Sequence, residues 1–273
     1  MLFIEDVVKD HLDGLQTDKP TAAGTLMRCS DAGSCQRARA FKAAKITESE
    51  EFDGRTLIAF ELGNALHTVV QHALAAKLNF EAEVVVDLTH LGVSLSGHAD
   101  GVITHPGGSK SLVEIKTMSG YGAKMTFGKD PKVAHIAQAG LYALGLGCDE
   151  VVIVYVAKES VMRTQIKPGD IYEWTLGMDQ EAAEGKTVRE IATEELARFR
   201  NVELSVKSGV IPVPIVSKDD SEDVELTDLP GIYGSRTKHW ECGYCMHNSI
   251  CYEMGIGPQE INFVNKLMEG MYQ

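Results

Sequence analysis

Two short segments carry residues whose types and spacing suit hydrolytic or metal chemistry. In GHADGVITHPGGSKSLVEIKT, spanning 97–117, an aspartate, a glutamate and a lysine fall on two β-branched runs. Side chains alternate along a strand, so Glu114 and Lys116 share one face while Ile115 points the other way into the core. The sequence HPGGS at 105–109 is a strong turn signal between two strands. A hairpin centred near Gly107 sets Asp100 opposite Glu114, with facing Cβ atoms roughly 5 Å apart. Two carboxylates that close repel each other unless a cation lies between them or one is protonated. A divalent-metal site is the chemistry this spacing suggests; a water-facing Asp/Glu pair at a sheet edge is the bland alternative.

Other segments offer partners. Gly63 and His67 lie four apart on one helical face with Gln71 a turn further, and imidazole is a common metal ligand. A lone helical histidine is more often a satisfied core or surface residue. Gln138 and Tyr142 share a face of a later helix, where ordinary packing is the competing explanation. Cys242, Cys245 and Cys251 form C-x₂-C-x₅-C in ECGYCMHNSIC, a spacing that lets three thiolates converge on one metal. The fourth ligand must come from elsewhere: Cys29, Cys35, His239 and His247 are available. Cys148, at a helix end, reads as a small packed hydrophobe. Zinc and an iron–sulfur cluster both suit such a set. Trp240 and Tyr244 beside it would pack around the metal or stack on unpaired bases.

The elements that must position these residues follow from periodicity. A helix is expected over about 2–16 and another over about 34–46. RTLIAFELGNALHTVVQHALAAKL is a longer helical pattern in which Leu62, Leu66, Val69, Val70 and Leu74 recur at helical spacing. EAEVVVDL, VSLSGHADGVI, SLVEIKTM and EVVIVYVA read as strands, and VAHIAQAGLYALGL as a helix between the last two. A strand pair at about 161–167 and 171–176 precedes a charged helix over about 179–207. GVIPVPIVSKDDSEDVELTDLPG lacks helical period and reads as an exposed connection. The fold class is therefore α/β, a mixed central sheet flanked by helices. Three regions are expected: 1–55 helical, 56–208 the core, and 209–273 the connection with a cysteine-rich segment.

Composition narrows the function classes. The 273 residues are 24% charged and 44% hydrophobic, ordinary globular usage. No apolar run of about 18 residues is present, and the start lacks a basic secretory leader, so the chain is expected in the cytoplasm with no membrane role. Six cysteines there point to metal ligation or burial rather than disulfides. The net charge of -13 opposes long-range attraction to a polyanion. A basic cluster at Arg28, Arg37, Arg39, Lys42 and Lys45, with no acid from Gln36 to Ile46, offsets it locally. Its plainer reading is a solvated helix face. No phosphate-cradling glycine loop competes, since Gly231 to Gly234 lacks the lysine and helix context.

Gly63 to His67, Gly97 to Asp100, Glu114-Ile115-Lys116 and Gln138 to Tyr142 give GxxxH, GxxD, ExK and QxxxY in order. That series resembles the RecB-like branch of the PD-(D/E)XK nucleases, and Ser30, Cys35 and Arg37 resemble the S-x₄-C-x-R pattern of its cluster-bearing members. Together the motifs span about 30–251. The Pro-Asp pair itself is replaced by Ala99-Asp100. The resemblance implies a restriction-endonuclease-like core with His67, Asp100, Glu114 and the Ile115 carbonyl holding one or two Mg²⁺ or Mn²⁺ ions. It implies that Lys116 orients the attacking water and that Gln138 and Tyr142 support DNA or the lysine; from the basic cluster, Arg37, Arg39 and Lys42 are expected to contact DNA. It also implies a [4Fe–4S] cluster on Cys35, Cys242, Cys245 and Cys251. The expected activity is a DNA exonuclease on single strands or ends, in recombination, repair, replication or CRISPR-type processing. A helicase or another recombination or CRISPR protein would be its partner. The alternative is a non-cleaving DNA-binding or assembly subunit that keeps the fold and cluster.

Overall fold

The β-branched runs become the strands of one six-stranded mixed sheet. The computed structural model describes residues 26–48, 52–162, 164–214, 240–255 and 257–271, with Val7, His11 and Leu12. In chain order come β1 (Met27–Arg28), α1 (Gln36–Ala43), α2 (Gly54–Ala75), β2 (Phe80–Asp87), β3 (Leu95–Thr104), β4 (Lys110–Met118) and α3 (Gly120–Thr126). Then follow α4 (Val133–Leu146), β5 (Glu150–Ala157), β6 (Ile171–Gly177), the short pair β7 (Glu181–Ala183) and β8 (Lys186–Thr187), and α5 (Val188–Lys207). The chain finishes with β9 (Val210–Ile211), α6 (Asn248–Met254), β10 (Gln259–Glu260) and α7 (Ile261–Met271).

Sheet order is β1-β3-β4-β5-β6, with β2 on the other edge of β3. The β3–β4 and β5–β6 pairs are antiparallel, while β4 and β5 are parallel and joined through α3 and α4. A parallel pair needs a crossover helix and both faces covered, which accounts for the continuous apolar run of β5. One face packs Leu112, Ile153 and Tyr155 under α4, which α5 backs in turn. The opposite face sets Val113, Ile115, Val154 and Val156 against Leu66, Val70 and Leu74 of α2. Leu62 and Val69 of the same expected helical stripe are exposed instead. Among the described residues no helix is long and apolar enough to cross a membrane.

Several boundaries differ from the expectation, each for a local reason. The charged helix begins at Val188 rather than near 179, because Thr187 and Glu190 form a reciprocal capping box and 181–187 is spent on the β7–β8 pair. The described residues of 161–167 form no strand: Val161 N–H donates back to Ile166 O. α3 was not foreseen; Ser119 starts it by accepting the Gly122 N–H. In the expected exposed connection, Val210 and Ile211 instead pair with β10, and Ile211 is fully buried. Most of the expected opening helix, and the acidic stretch 215–239, lie outside the described residues.

Candidate active site

The hairpin register decides where the acidic groups meet. β3 and β4 pair from Thr104↔Lys110 to Gly101↔Val113, and the next pair in that register is Asp100 with Glu114. The ladder stops there. β2 occupies the other edge of β3, and β1 pairs with β3 only at Leu95 and Ser96. Gly97 to Asp100 therefore face a gap between β1 and β4. Inside it the Asp100 side chain takes over from the backbone: Oδ2 accepts the Ile115 N–H at 2.6 Å. Its Oδ1 lies 3.2 Å from His67 Nδ1, delivered by α2. Gly63, one turn before His67, lets α2 approach, since a Cβ there would stand 3.3 Å from Thr117 Oγ1.

α4 closes the gap from the other face. Lys116 Nζ lies 2.7 Å from Glu114 Oε1 and donates to Gln138 Oε1 at 2.8 Å. Gln138 Nε2 reaches Tyr142 OH at 3.5 Å, and Tyr142 is buried against Gly97, where a Cβ would come within 2.9 Å of its ring. Of the two, Gln138 contacts the lysine directly and Tyr142 lies behind it. Burial, with the nearby Glu114 charge, pushes the Tyr142 hydroxyl above its ordinary range. Ile115 is fully buried on the α2 face, as the alternation requires, and gives only its backbone to the gap.

Glu114 is 2% exposed. Burial raises its pKa to about 7; the Lys116 charge opposes that and the Asp100 charge adds to it. Its second oxygen, Oε2, is buried without a hydrogen-bond partner. Such an atom costs about 1–3 kcal/mol when left unsatisfied. Among the described residues no three His, Cys, Asp or Glu side chains stand round a single ion position; the donors are engaged with one another and with Lys116. The donor set nevertheless fits a hard divalent cation, with two carboxylates, one imidazole and one carboxylate oxygen to spare. A cleft of about 480 Å³ opens beside His67 and Thr117, with Phe60, Asn64 and Lys158 in its wall.

The cysteines divide into two groups. Cys35 sits at the N-cap of α1, Cys242 precedes Cys245, and Cys251 lies in α6. Burial first, then the charges of Cys251, Cys35 and Cys242, pushes Cys245 up to about 11, although among the described residues no three of these thiols stand round one ion position. Cys251 is also raised, by burial first, against the lowering pull of Arg37. None is in a disulfide. The donor chemistry of this group suits a soft metal centre or cluster. Cys29 is not among them: it is fully buried, and its thiol is pushed up by burial and by the Glu114 charge. Cys148 is buried, as expected for a packed hydrophobe. His247 is buried against Phe41, ring centroids 4.8 Å apart; His239 lies outside the described residues.

The basic cluster requires correction. Arg37 and Arg39 are 1% and 2% exposed, so neither guanidinium is presented to a phosphate backbone. Arg37 donates to the carbonyls of Pro212, Gly255 and Gly257 and to Cys251 Sγ, binding the C-terminal segment to α1. Arg39 pairs with Glu195 of α5 at 2.5 Å and lies 4.2 Å over the Phe199 ring. Lys42 is exposed and pairs with Asp31 at 2.6 Å. Two further residues join the site. Gln71 is buried and donates to the Asp100 carbonyl and to Glu83 Oε1. Glu83 lies on β2 where pairing with β3 skips Asp100, and has φ 53, a left-handed backbone rare for glutamate. Helical spacing from His67 pointed to Gln71; nothing in EAEVVVDL marked Glu83.

No family model matches the chain, and no curated protein matches it. Among solved structures it is similar to "Crystal structure of SSO0001", with 18% identity over 71% of this chain and 85% of that one, at a TM-score of 0.45. A likeness that distant decides neither fold family nor activity.

Proposed function

We propose that the chain is a metal-dependent deoxyribonuclease with a restriction-endonuclease-like, RecB-type PD-(D/E)XK core. It acts as an exonuclease on single-stranded DNA or DNA ends in the cytoplasm, in recombination, repair, replication or CRISPR-type processing. One observation carries the reading: Asp100, Glu114, Lys116 and His67 meet where β3 and β4 part, and a buried Glu114 oxygen is left without a partner. His67, Asp100, Glu114 and the Ile115 backbone would hold Mg²⁺ or Mn²⁺. Such an ion supplies charge neutralisation at the phosphate and a more acidic attacking water. Lys116, steadied by Gln138 and Glu114, would use its one remaining N–H to orient that water. Phosphodiester hydrolysis places new charge on oxygens beside the ion and Lys116, where fixed donors act most strongly.

Cys35, Cys242, Cys245 and Cys251 would hold a [4Fe–4S] cluster, joining α1 to the C-terminal segment as a structural staple. With a net charge of -13, the chain would rely on the metal ions and local cations for DNA, and a helicase or recombination partner would supply strands. The test uses 5′- and 3′-labelled single-stranded oligonucleotides with Mn²⁺ or Mg²⁺. The parent should cut, and Glu114→Ala and Lys116→Ala should not. Variants as active as the parent would refute the site, whereas a parent that binds DNA without cutting would favour the non-cleaving alternative.

A further inference from the structure

β5 runs parallel to β4 with Tyr155 in register with Lys116, so their side chains are neighbours on the α4 face. Tyr155 is fully buried, its ring stacked edge-on to Trp174 at 5.0 Å. Its hydroxyl is held twice. It accepts the backbone N–H of Lys132 at 3.0 Å and lies 2.7 Å from Nδ1 of His135. The fully buried hydroxyl has no other acceptor among the described residues, so its own proton goes to Nδ1 rather than being left unsatisfied. Nδ1 is then an acceptor, and the ring proton sits on Nε2. Burial, then the charges of Lys116 and Lys132, hold the His135 pKa down at about 3, so the ring stays neutral.

His135 stands one helical turn before Gln138, the residue that grips Lys116, and on the β5 side of it. It is only half-buried, and its Nε2 has no hydrogen-bond partner among the described residues. The tautomer is therefore fixed from behind by a buried tyrosine and a backbone N–H, and an N–H donor is left open beside the lysine. A histidine present only for packing would leave its tautomer free.

We propose that His135 is a substrate-contacting residue, whose Nε2–H donates to a non-bridging oxygen of the DNA phosphodiester lying on the β5 side of Lys116. It rests on the nuclease reading above. Tyr155 and the Lys132 N–H are positioning groups that act through it. Being neutral, the donor adds no charge to repel the metal ions beside it.

The experiment compares kcat, KM and melting temperature for the full chain with Mn²⁺ and a labelled single-stranded oligonucleotide, in the parent and three variants. His135→Ala should lower kcat/KM about 100-fold, the scale for losing one fixed donor at a developing charge, with a modestly lowered melting temperature, since the buried Tyr155 hydroxyl loses its acceptor. His135→Gln, which keeps an N–H donor, should recover most of that loss, as should added imidazole in His135→Ala. Tyr155→Phe should fall between Ala and parent. A parent-like rate in His135→Ala would overturn this inference alone. Equal losses in His135→Ala and His135→Gln with a lowered melting temperature would make the residue structural and overturn it too. A parent inert on DNA would overturn both this inference and the nuclease reading.

Discussion

The carboxylate centre and the cysteine region solve the burial of polar groups in opposite ways. At the first, acidic side chains from adjacent strands crowd a gap in the sheet, and Glu114 keeps an oxygen without a partner. Near the second, the Arg37 guanidinium binds carbonyls about 175 to 220 residues away in sequence and so fastens distant segments together. One site stores an unmet demand that a ligand can satisfy. The other joins chain segments, and the loss of its arginine would free them.

Five predictions break or sharpen that contrast. Glu114→Gln should lower cleavage by about three orders of magnitude, more than losing one ordinary donor, because both metal affinity and Lys116 positioning go with it. Its fold should persist, as circular dichroism would report; an unfolded variant would make Glu114 structural. Arg37→Ala should cost about 3–5 kcal/mol of stability, the scale for breaking a buried charged contact. It should also expose the C-terminal segment to protease, and Arg37→Lys should not rescue it, since a point charge cannot serve three carbonyls in a fork. If the proposed cluster is present, Cys251→Ala should remove its visible colour and iron, whereas a colourless, zinc-containing parent would contradict the cluster.

Gln71→Ala should weaken Mn²⁺ binding about tenfold, the scale for losing a residue that orients a ligand, measured by calorimetry; an unchanged affinity would mean Gln71 serves only the fold. The buried Glu114 carboxyl also makes the contrast sensitive to pH. A carboxyl whose folded pKa is raised from 4.5 to about 7 gives its full stability below 4.5 and loses it as pH rises through 7. Without metal, the melting temperature of the parent relative to Glu114→Gln should fall over that window. Mn²⁺ affinity should move the other way, weakening about tenfold per pH unit below 7, because the ion competes with that proton. A flat difference between the two proteins would place the Glu114 pKa near its ordinary value.

Much of the geometry at the carboxylate centre was legible in the sequence alone. The turn at 105–109 and the alternation of SLVEIKTM fixed Asp100 opposite Glu114, and the β3–β4 register leads to that pair. The apolar runs of β5 and α4 were legible for the same reason: each is set by neighbours a few residues away. Arg37 and Arg39 were not. As a basic cluster without nearby acids they suggested a solvent-facing patch, yet the partner of Arg39 is Glu195, 156 residues on. The spacing of the late cysteines left the choice between Cys29 and Cys35 open, and only the S-x₄-C-x-R resemblance favoured Cys35. Glu83 was missed because its left-handed backbone answers a skip in strand pairing.

Local sterics let the sequence determine which side chains share a strand face or a helix face, and so which acids and which lysine would meet. Desolvation was left to the tertiary structure. Only the packing of α4, α2 and β5 around the gap decided that Glu114 is buried short of a partner, that Lys116 is held by Gln138, and that two arginines lie inside the protein. A charge's environment depends on whatever atoms surround it in space, and those atoms come from segments far apart along the chain.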